Sequence, residues 1–542
     1  GDRAGKTRVV AVLGEAGIGK TRLANEFLGW ARARGADVLK GGASEGAGLP
    51  YGPLVEAIRP RIERERAPDD LLEDAWLSEL SRLLPELKDR YSDLPSPASG
   101  DGETAKGALF EAIARTVGAL ASRAPVVLFL DDLQWVDATT LEVLDYAGSR
   151  WAEQGASVLV LVAARPEESE GRAGFERWLS SLRRRSPVKS LALGPLGNED
   201  VGGLLRRLAR AESTSPAWPP EQPGGSSGTQ TEPERFVERL LAETGGQPFY
   251  LVETLKALLE DGKLLIRARA DGETVVEVGP DWREGSTLRG LLPQSVREVI
   301  HARLSRLSAA ASELLRAGAV LERGFSFESV VRVAGLGEAE GLRGLDELIE
   351  RRLLLEEAGG REEEEEEPLS YTDTTYSFSH EKIRQVAYTE AGHARRRVLH
   401  RRAFEVLEKE RAPAAQLARH ALAGGLAEQT FGYSVAAGDQ AMEVFAVRDA
   451  IVHYERAGNL LAEEVRSGGA RQLVEPSIPD LEHLYTQLGR TYELTNEWRK
   501  AEAAYEALLA LGRRLGEARL EVVALNHLAV LKFPYQKVDL PK

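Results

Sequence analysis

Gly14-Glu15-Ala16-Gly17-Ile18-Gly19-Lys20-Thr21 follows the spacing G-x-x-x-x-G-K-[S/T], and each residue type has a chemical reason to be there. Glycines let the backbone curl closely enough for successive N–H groups to face phosphate oxygens. A helix starting at the end of such a loop adds unpaired N–H groups and the positive end of its dipole. Lys20 is expected to reach the β- and γ-phosphates and the Thr21 hydroxyl to ligate Mg²⁺, with Arg22 completing a nucleotide-binding run from Gly14. The loop lies between an apolar stretch and an amphipathic helical pattern, which is the context its mechanism needs.

A loop of this kind requires an acid. Val126-Val127-Leu128-Phe129-Leu130-Asp131-Asp132 supplies one, as a buried strand that ends in carboxylates. Asp131 is the candidate metal carboxylate and Asp132 the group that orients or deprotonates the attacking water. The plainer alternative, that these residues only begin a loop or cap a helix, stays open. Asp137 precedes a helical run and is expected to cap it. A second buried run, Val158 to Ala164, ends in Arg165, which is a candidate sensor of the γ-phosphate or an ordinary surface residue. No Asn-Lys-x-Asp stretch of the kind that reads guanine occurs, which favours ATP. The eight His show no metal-ligand spacing, and His393 and His400, seven apart on an Arg-rich helix, are expected to face solvent.

The elements that position these groups follow from pattern. At 542 residues with 43% hydrophobic content, the chain is expected to hold several domains. It contains no Cys, which excludes disulfides and cysteine metal sites and suits a reducing cytoplasm. Formal net charge is −15, a poor basis for direct binding to DNA or to an anionic membrane. The chain begins at Gly1 and its only Met is Met442, so it is expected to be a segment of a longer protein.

Five short apolar runs are strand candidates: 8–13, 36–40, 126–130, 157–163 and 188–193. Alternating with helical patterns, they predict an α/β domain with a parallel sheet. Ser, Thr, Pro, Gly and Gln dominate 212–233, read as a flexible insertion, and helical periodicity prevails beyond it. Short strand-like runs at 352–357 and 376–379 flank six consecutive Glu, Glu362 to Glu367. Helices followed by such a hairpin suggest a winged helix with the acidic run, read as a solvated and disordered loop, at its wing tip, where so many carboxylates would repel phosphate. In the last third, Tyr485, Leu488, Gly489, Tyr492, Ala501, Tyr505 and Leu508 fall at the spacing of tetratricopeptide (TPR) repeats. Ala437, Gly438, Ala450, Tyr454 and Ala457 form a weaker match upstream.

Together, Gly14–Leu23 (GEAGIGKTRL), Leu130–Trp135 (LDDLQW) and Arg165 resemble the STAND class, the signal-transduction ATPases with numerous domains. The likeness is closest to the bacterial branch found in large LuxR-type and SARP-type transcriptional regulators and in some cyclase and kinase fusions, which leaves the output domain of the parent protein open. Gly245-Gly246-Gln247-Pro248-Phe249 resembles the G-x-P motif of that class's helical lid, which implies that Pro248 approaches the adenine and its sugar. Leu292-Pro293 through Leu304 resembles the start of its winged helix. Phe378-Ser379-His380-Glu381 resembles the segment closing that domain, where relatives carry a His-Asp pair on the diphosphate. Here Glu381 stands where Asp is usual, and the sequence begins too late to contain the Gly-Arg-Glu segment that members of the class usually carry upstream of the first strand to help hold adenine.

The resemblance implies a multidomain chain: an α/β P-loop NTPase domain over 1–205, a helical lid over 206–290, a winged-helix domain over 291–392 with an acidic wing loop at 359–368, a helical arm over 393–480, and truncated TPR repeats over 481–542. It implies a slow ATPase switch, ADP-bound at rest and ATP-bound when active, whose ATP state favours self-association or release of an effector domain. The TPR region would take an inducer of unspecified chemistry. An AAA-type motor or loader, and a scaffold stabilised by nucleotide, are the competing readings.

Overall fold

A computed structural model of the chain describes residues 7–43, 49–65, 71–97, 102–165, 173–185, 188–211, 232–260, 262, 264–268, 274–278, 296–322, 324–358, 374–466 and 476–532. The 212–233 insertion, apart from its last two residues, and the Glu362 to Glu367 run lie outside the described residues, as does Leu292-Pro293. The chain divides into two compact units: Gly1–Val12, Ala24–Leu191 and Ala394–Lys542 in one, Leu13–Leu23 and Ala192–His393 in the other.

The first unit is built on a five-stranded parallel sheet of order β2-β3-β4-β1-β5. Its strands are β1 (Arg8–Leu13), β2 (Asp37–Gly42), β3 (Val126–Asp131), β4 (Val158–Ala164) and β5 (Val188–Ala192). All six residues of β3 are buried, as are all but one of β4. Their near-continuous Val, Leu and Phe content is what strands covered on both faces require. β5 is an exposed edge strand, with Lys189 and Ser190 in its middle. Register pairs Gly42 with Asp131 and Leu130 with Val162, so Asp131 closes β3 at its carboxyl end. Among the described residues no helix is long and apolar enough to cross a membrane.

Beyond β3 the chain makes a 3-10 turn, Leu133–Trp135, and enters the helix Ala138–Gln154. Asp137 caps that helix as expected, accepting the Thr140 N–H at 2.7 Å and the Thr140 hydroxyl at 2.5 Å.

The carboxyl-terminal part of this unit is all helix. His393–Lys409, Ala414–Gly424, Ala427–Glu443, Val447–Arg466, Ile478–Leu494, Trp498–Leu515 and Ala518–Lys532 follow one another. From Ala414 onward, each packs on the next. A repeat is visible in the packing. A Cβ on Gly438 would lie 2.3 Å from the Tyr454 ring, and one on Gly489 would lie 2.3 Å from the Tyr505 ring. Each Gly precedes its Tyr by sixteen positions and lets two helices close around a buried ring. His400 corrects the sequence reading. It is 5% exposed and its Nδ1 lies 3.0 Å from Nδ1 of His420, whereas His393 faces solvent. Burial lowers the His400 pKa to about 4, and the Arg419 and Arg396 cations add to the effect.

One turn of this helical region fastens to the sheet domain. The Tyr51 hydroxyl donates to Val444 O at 2.9 Å, and the Arg82 guanidinium lies 5.2 Å over the Phe445 ring. The Thr139 hydroxyl donates to Asp449 Oδ2 at 3.4 Å. Burial pushes the Asp449 carboxyl up to about 7, with the Asp137 and Glu142 carboxylates adding to it and Arg448 opposing. A carboxyl raised in the docked state holds a proton there that the separated state releases near its ordinary value of 3.8. Docking is therefore strongest below that value, weakens as pH rises from it to about 7, and stays weakest above. Amide exchange across Ala138–Gln154, corrected for its intrinsic pH dependence, is expected to quicken roughly tenfold between pH 5 and pH 8. Asp449→Asn should flatten that dependence, and a variant as steep as the native chain would remove Asp449 as its source.

The second unit contains the helices Asn198–Ala211, Glu232–Thr244 and Pro248–Glu260 around a core of Val201, Leu205, Phe236, Leu240, Leu251 and Leu255. An antiparallel hairpin of β6 (Leu264–Ala268) and β7 (Thr274–Val278) follows, where the sequence reading expected helix. Beyond Val296–Leu304 come three helices, Ala309–Leu321, Phe327–Ala334 and Glu338–Glu350. They lead into a second antiparallel hairpin, β8 (Leu354–Ala358) and β9 (Thr374–Phe378), and then the helix Glu381–Glu390. Buried Arg303 joins these parts: it pairs with buried Glu253 of Pro248–Glu260 and donates to Arg351 O at 2.7 Å.

Candidate phosphate-binding site

The sequence-predicted residues fall into two sets, one in each compact unit. In the second unit the loop Gly14 to Thr21 is shaped by its own lysine. Lys20, 6% exposed, opens the helix Lys20–Arg32 and donates from Nζ to Gly14 O at 2.8 Å and Glu15 O at 3.0 Å. Gly17 has φ +83 and Gly19 φ +100, backbone conformations that side chains with a Cβ disfavour. Thr21, Arg22 and Glu15 are exposed at the helix start and the loop. Curled backbone, a helix N-terminus and a buried ammonium group make a cradle for phosphate oxygens. The loop thus fits the nucleotide its sequence implies.

The segment Gly245 to Phe249 lies directly on this loop. Gly246, at φ +71, holds its carbonyl against the Leu196 N–H at 2.8 Å, and a Cβ there would fall 2.3 Å from Leu196 O. Gln247 Nε2 donates to Ala16 O at 3.1 Å, and the Phe249 N–H donates to Gly17 O at 3.1 Å. Pro248 sits between them as the first residue of its helix, where a missing N–H costs nothing. His380, preceding Glu381–Glu390, stacks on the Phe249 ring at 3.7 Å between centroids and 22° between planes. A Cβ on Gly17 would lie 2.9 Å from Phe249 Cβ and 3.7 Å from His380 Nε2, so the loop, the turn before Pro248–Glu260 and residue 380 meet at one glycine. Glu381 turns away to Arg384, at 2.6 Å, and Arg384 also donates to Ala319 O at 3.1 Å.

The first unit holds the acidic set. Asp132 adopts φ 51 and ψ 42, a left-handed conformation that Asp tolerates better than most residues. Its N–H donates to Asp131 Oδ1 at 2.9 Å. Gln134, 1% exposed, bridges two predicted residues: its Nε2 donates to Asp132 Oδ1 at 3.1 Å, and its Oε1 accepts the Arg165 N–H at 3.2 Å. Arg165, 8% exposed, places Nη2 3.7 Å from Asp132 Oδ1. Of the two readings of Arg165, a surface role is thus removed: it is buried beside the carboxylate.

Sequence reasoning missed Gln134, Gln247 and Phe249 as site residues. All three stand inside motifs that were recognised, but the partners of Gln247 and Phe249 are distant in sequence, and Gln134 has one near partner, Asp132, and one distant one, Arg165.

Residues 1–162 match the AAA ATPase domain family. An uncharacterised protein of Rhizobium meliloti (strain 1021) is 25% identical over 539 residues, covering 94% of this chain and 45% of that protein. The chain therefore spans less than half the length of this curated relative. A STAND protein with a tetratricopeptide repeat sensor from Pyrococcus horikoshii is similar in structure, with a TM-score of 0.44 and 15% identity, covering 97% of this chain and 66% of that one. A Walker-type ATPase of Pyrococcus abyssi gives a TM-score of 0.30 at 13% identity over 70% of this chain and 90% of that one. The amino-terminal part of the chain is a P-loop ATPase domain of the AAA type, the domain of an NTP-hydrolysing enzyme.

Proposed function

We propose that the chain is the regulatory core of a STAND-type switch, ADP-bound at rest and ATP-bound when active, within a bacterial LuxR-type or SARP-type transcriptional regulator of the cytoplasm. The observation that carries this reading is the closure of the Gln247–Phe249 turn and His380 upon the phosphate loop at Gly17. In this reading 206–290 is the lid, 291–392 the winged helix, and the helical array from 393 the arm and TPR sensor, which takes the inducer. Loop N–H groups and Lys20 hold the phosphates, Pro248 and His380 face the nucleotide, and Thr21 and Asp131 offer hard oxygen ligands suited to Mg²⁺. Magnesium, when bound, neutralises phosphate charge. Asp132, steadied by Gln134 and Arg165, orients the attacking water. A two-state element of this kind works only through differential affinity, since a ligand bound equally by both states shifts nothing.

The test is the nucleotide content of the purified chain, released by denaturation and resolved by ion-exchange chromatography. Near-stoichiometric ADP is expected. A chain empty of nucleotide that turns over added ATP rapidly would favour the motor reading instead. ADP and ATP affinities within about threefold of each other correspond to under ~1 kcal/mol, too little to set the populations.

A further inference from the structure

We infer that Phe249 is a positioning residue for His380: its ring is the platform that holds the imidazole over Gly17 with an N–H turned toward the phosphate loop. The inference rests on the phosphate-loop reading of the site and adds to it a residue and a mechanism of coupling.

The imidazole is fixed on two sides. One face lies on the Phe249 ring, at 3.7 Å and 22°. One edge is held by its own helix, since Nδ1 accepts the Lys382 N–H at 3.1 Å. A ring nitrogen that accepts a hydrogen bond carries no proton, so in this geometry the proton sits on Nε2. Nε2 is the nitrogen on the Gly17 side, 3.7 Å from where a Cβ on Gly17 would be. His380 thereby presents a neutral donor toward a loop built for anionic oxygen. The platform is fixed in turn, because the Phe249 N–H is bonded to Gly17 O at 3.1 Å.

Coupling follows from which element owns which part. Phe249 belongs to Pro248–Glu260 and His380 precedes Glu381–Glu390. When Pro248–Glu260 swings off the loop, the platform leaves with it, and His380 loses its aim even though its own helix has not moved. Opening of one helix is thus read by the other, and the two contacts act on bound nucleotide as one unit rather than as two independent ones.

A double-mutant cycle on the full chain tests this, with release of a fluorescent ADP analogue followed by stopped flow. Phe249→Ala and His380→Ala are each expected to speed release about tenfold, and the double variant to do no more than either, as coupled residues should. Phe249→Tyr keeps the platform and should release at the native rate. Multiplying effects of the two single changes would overturn the proposal, as would an unaltered rate in Phe249→Ala. A second measurement needs no nucleotide: exchange of the Lys382 amide in the nucleotide-free chain should quicken about tenfold in Phe249→Ala and stay native in Phe249→Tyr. No change at Lys382 overturns the proposal. A native chain that binds no ADP analogue, with Lys382 responding as expected, would instead strike the phosphate-loop reading.

Discussion

Lys20→Ala is expected to weaken binding of both ADP and ATP by at least about a hundredfold. A hydrogen bond to a charged group contributes about 1.5–3 kcal/mol, and a lysine on two phosphates makes more than one. The same amine also ties Gly14 O and Glu15 O, so its loss slackens the loop as well as removing the cation. Titration calorimetry with each nucleotide measures the effect, and the far-ultraviolet circular dichroism of the variant checks its fold. Lys20→Arg should also bind poorly, because a planar guanidinium does not fit the same pair of carbonyls. Affinity within threefold of native for the alanine variant would show that the loop does not hold phosphate through Lys20.

Asp132→Asn is expected to keep ATP binding and lower its turnover by about 10²- to 10⁴-fold, the range a positioned acid–base group contributes. Asparagine retains an oxygen for the Gln134 amide and nearly the same shape, so the turn with φ 51 should persist. What disappears is the carboxylate charge beside Arg165 Nη2. In the switch, the expected result is a longer-lived ATP state, read as slower decay of the signal after the inducer is withdrawn. A motor would instead lose output, and a scaffold would be indifferent. Single-turnover hydrolysis separates these outcomes from binding defects, and turnover within twofold of native would exclude Asp132 from the chemistry.

The strands of the sheet were legible because their signals are local. Each strand of the sheet lies within two residues of its expected bounds, since short runs rich in Val and Leu announce themselves without reference to partners. The phosphate loop was legible for the same reason: glycine spacing and one lysine carry its chemistry. The β6–β7 hairpin was missed although it carries a local signal, short Val- and Ile-containing runs on either side of Asp271-Gly272, because it sits between helical patterns that dominated the reading. His400 misled because an Arg-rich helix looks solvated, while the histidine's partner lies twenty residues away on another helix. Phe249 was visible as part of a motif, yet its stack on His380 depends on two segments more than a hundred residues apart. The same holds for Gln134, whose worth lies in its bond to Arg165.

The Gly438–Tyr454 and Gly489–Tyr505 sockets bear on how such a chain can change over evolutionary time. Each ring enters a glycine notch on the helix before it and its hydroxyl is satisfied there, Tyr454 on Asp439 and Tyr505 on Glu493, while the Tyr505 ring also stacks on His527 of the next helix. A helix pair therefore carries its own fastening and asks little of distant neighbours. Duplication or loss of a whole pair leaves each remaining ring facing its glycine notch and disturbs only contacts to the next helix, such as Tyr505 on His527, whereas a shift of one residue within a helix would turn a ring out of its notch. Length in this region is thus cheap to vary in steps and costly to vary continuously, so the helical array can be resized in gene duplications that leave the ATPase domain's residues unaltered.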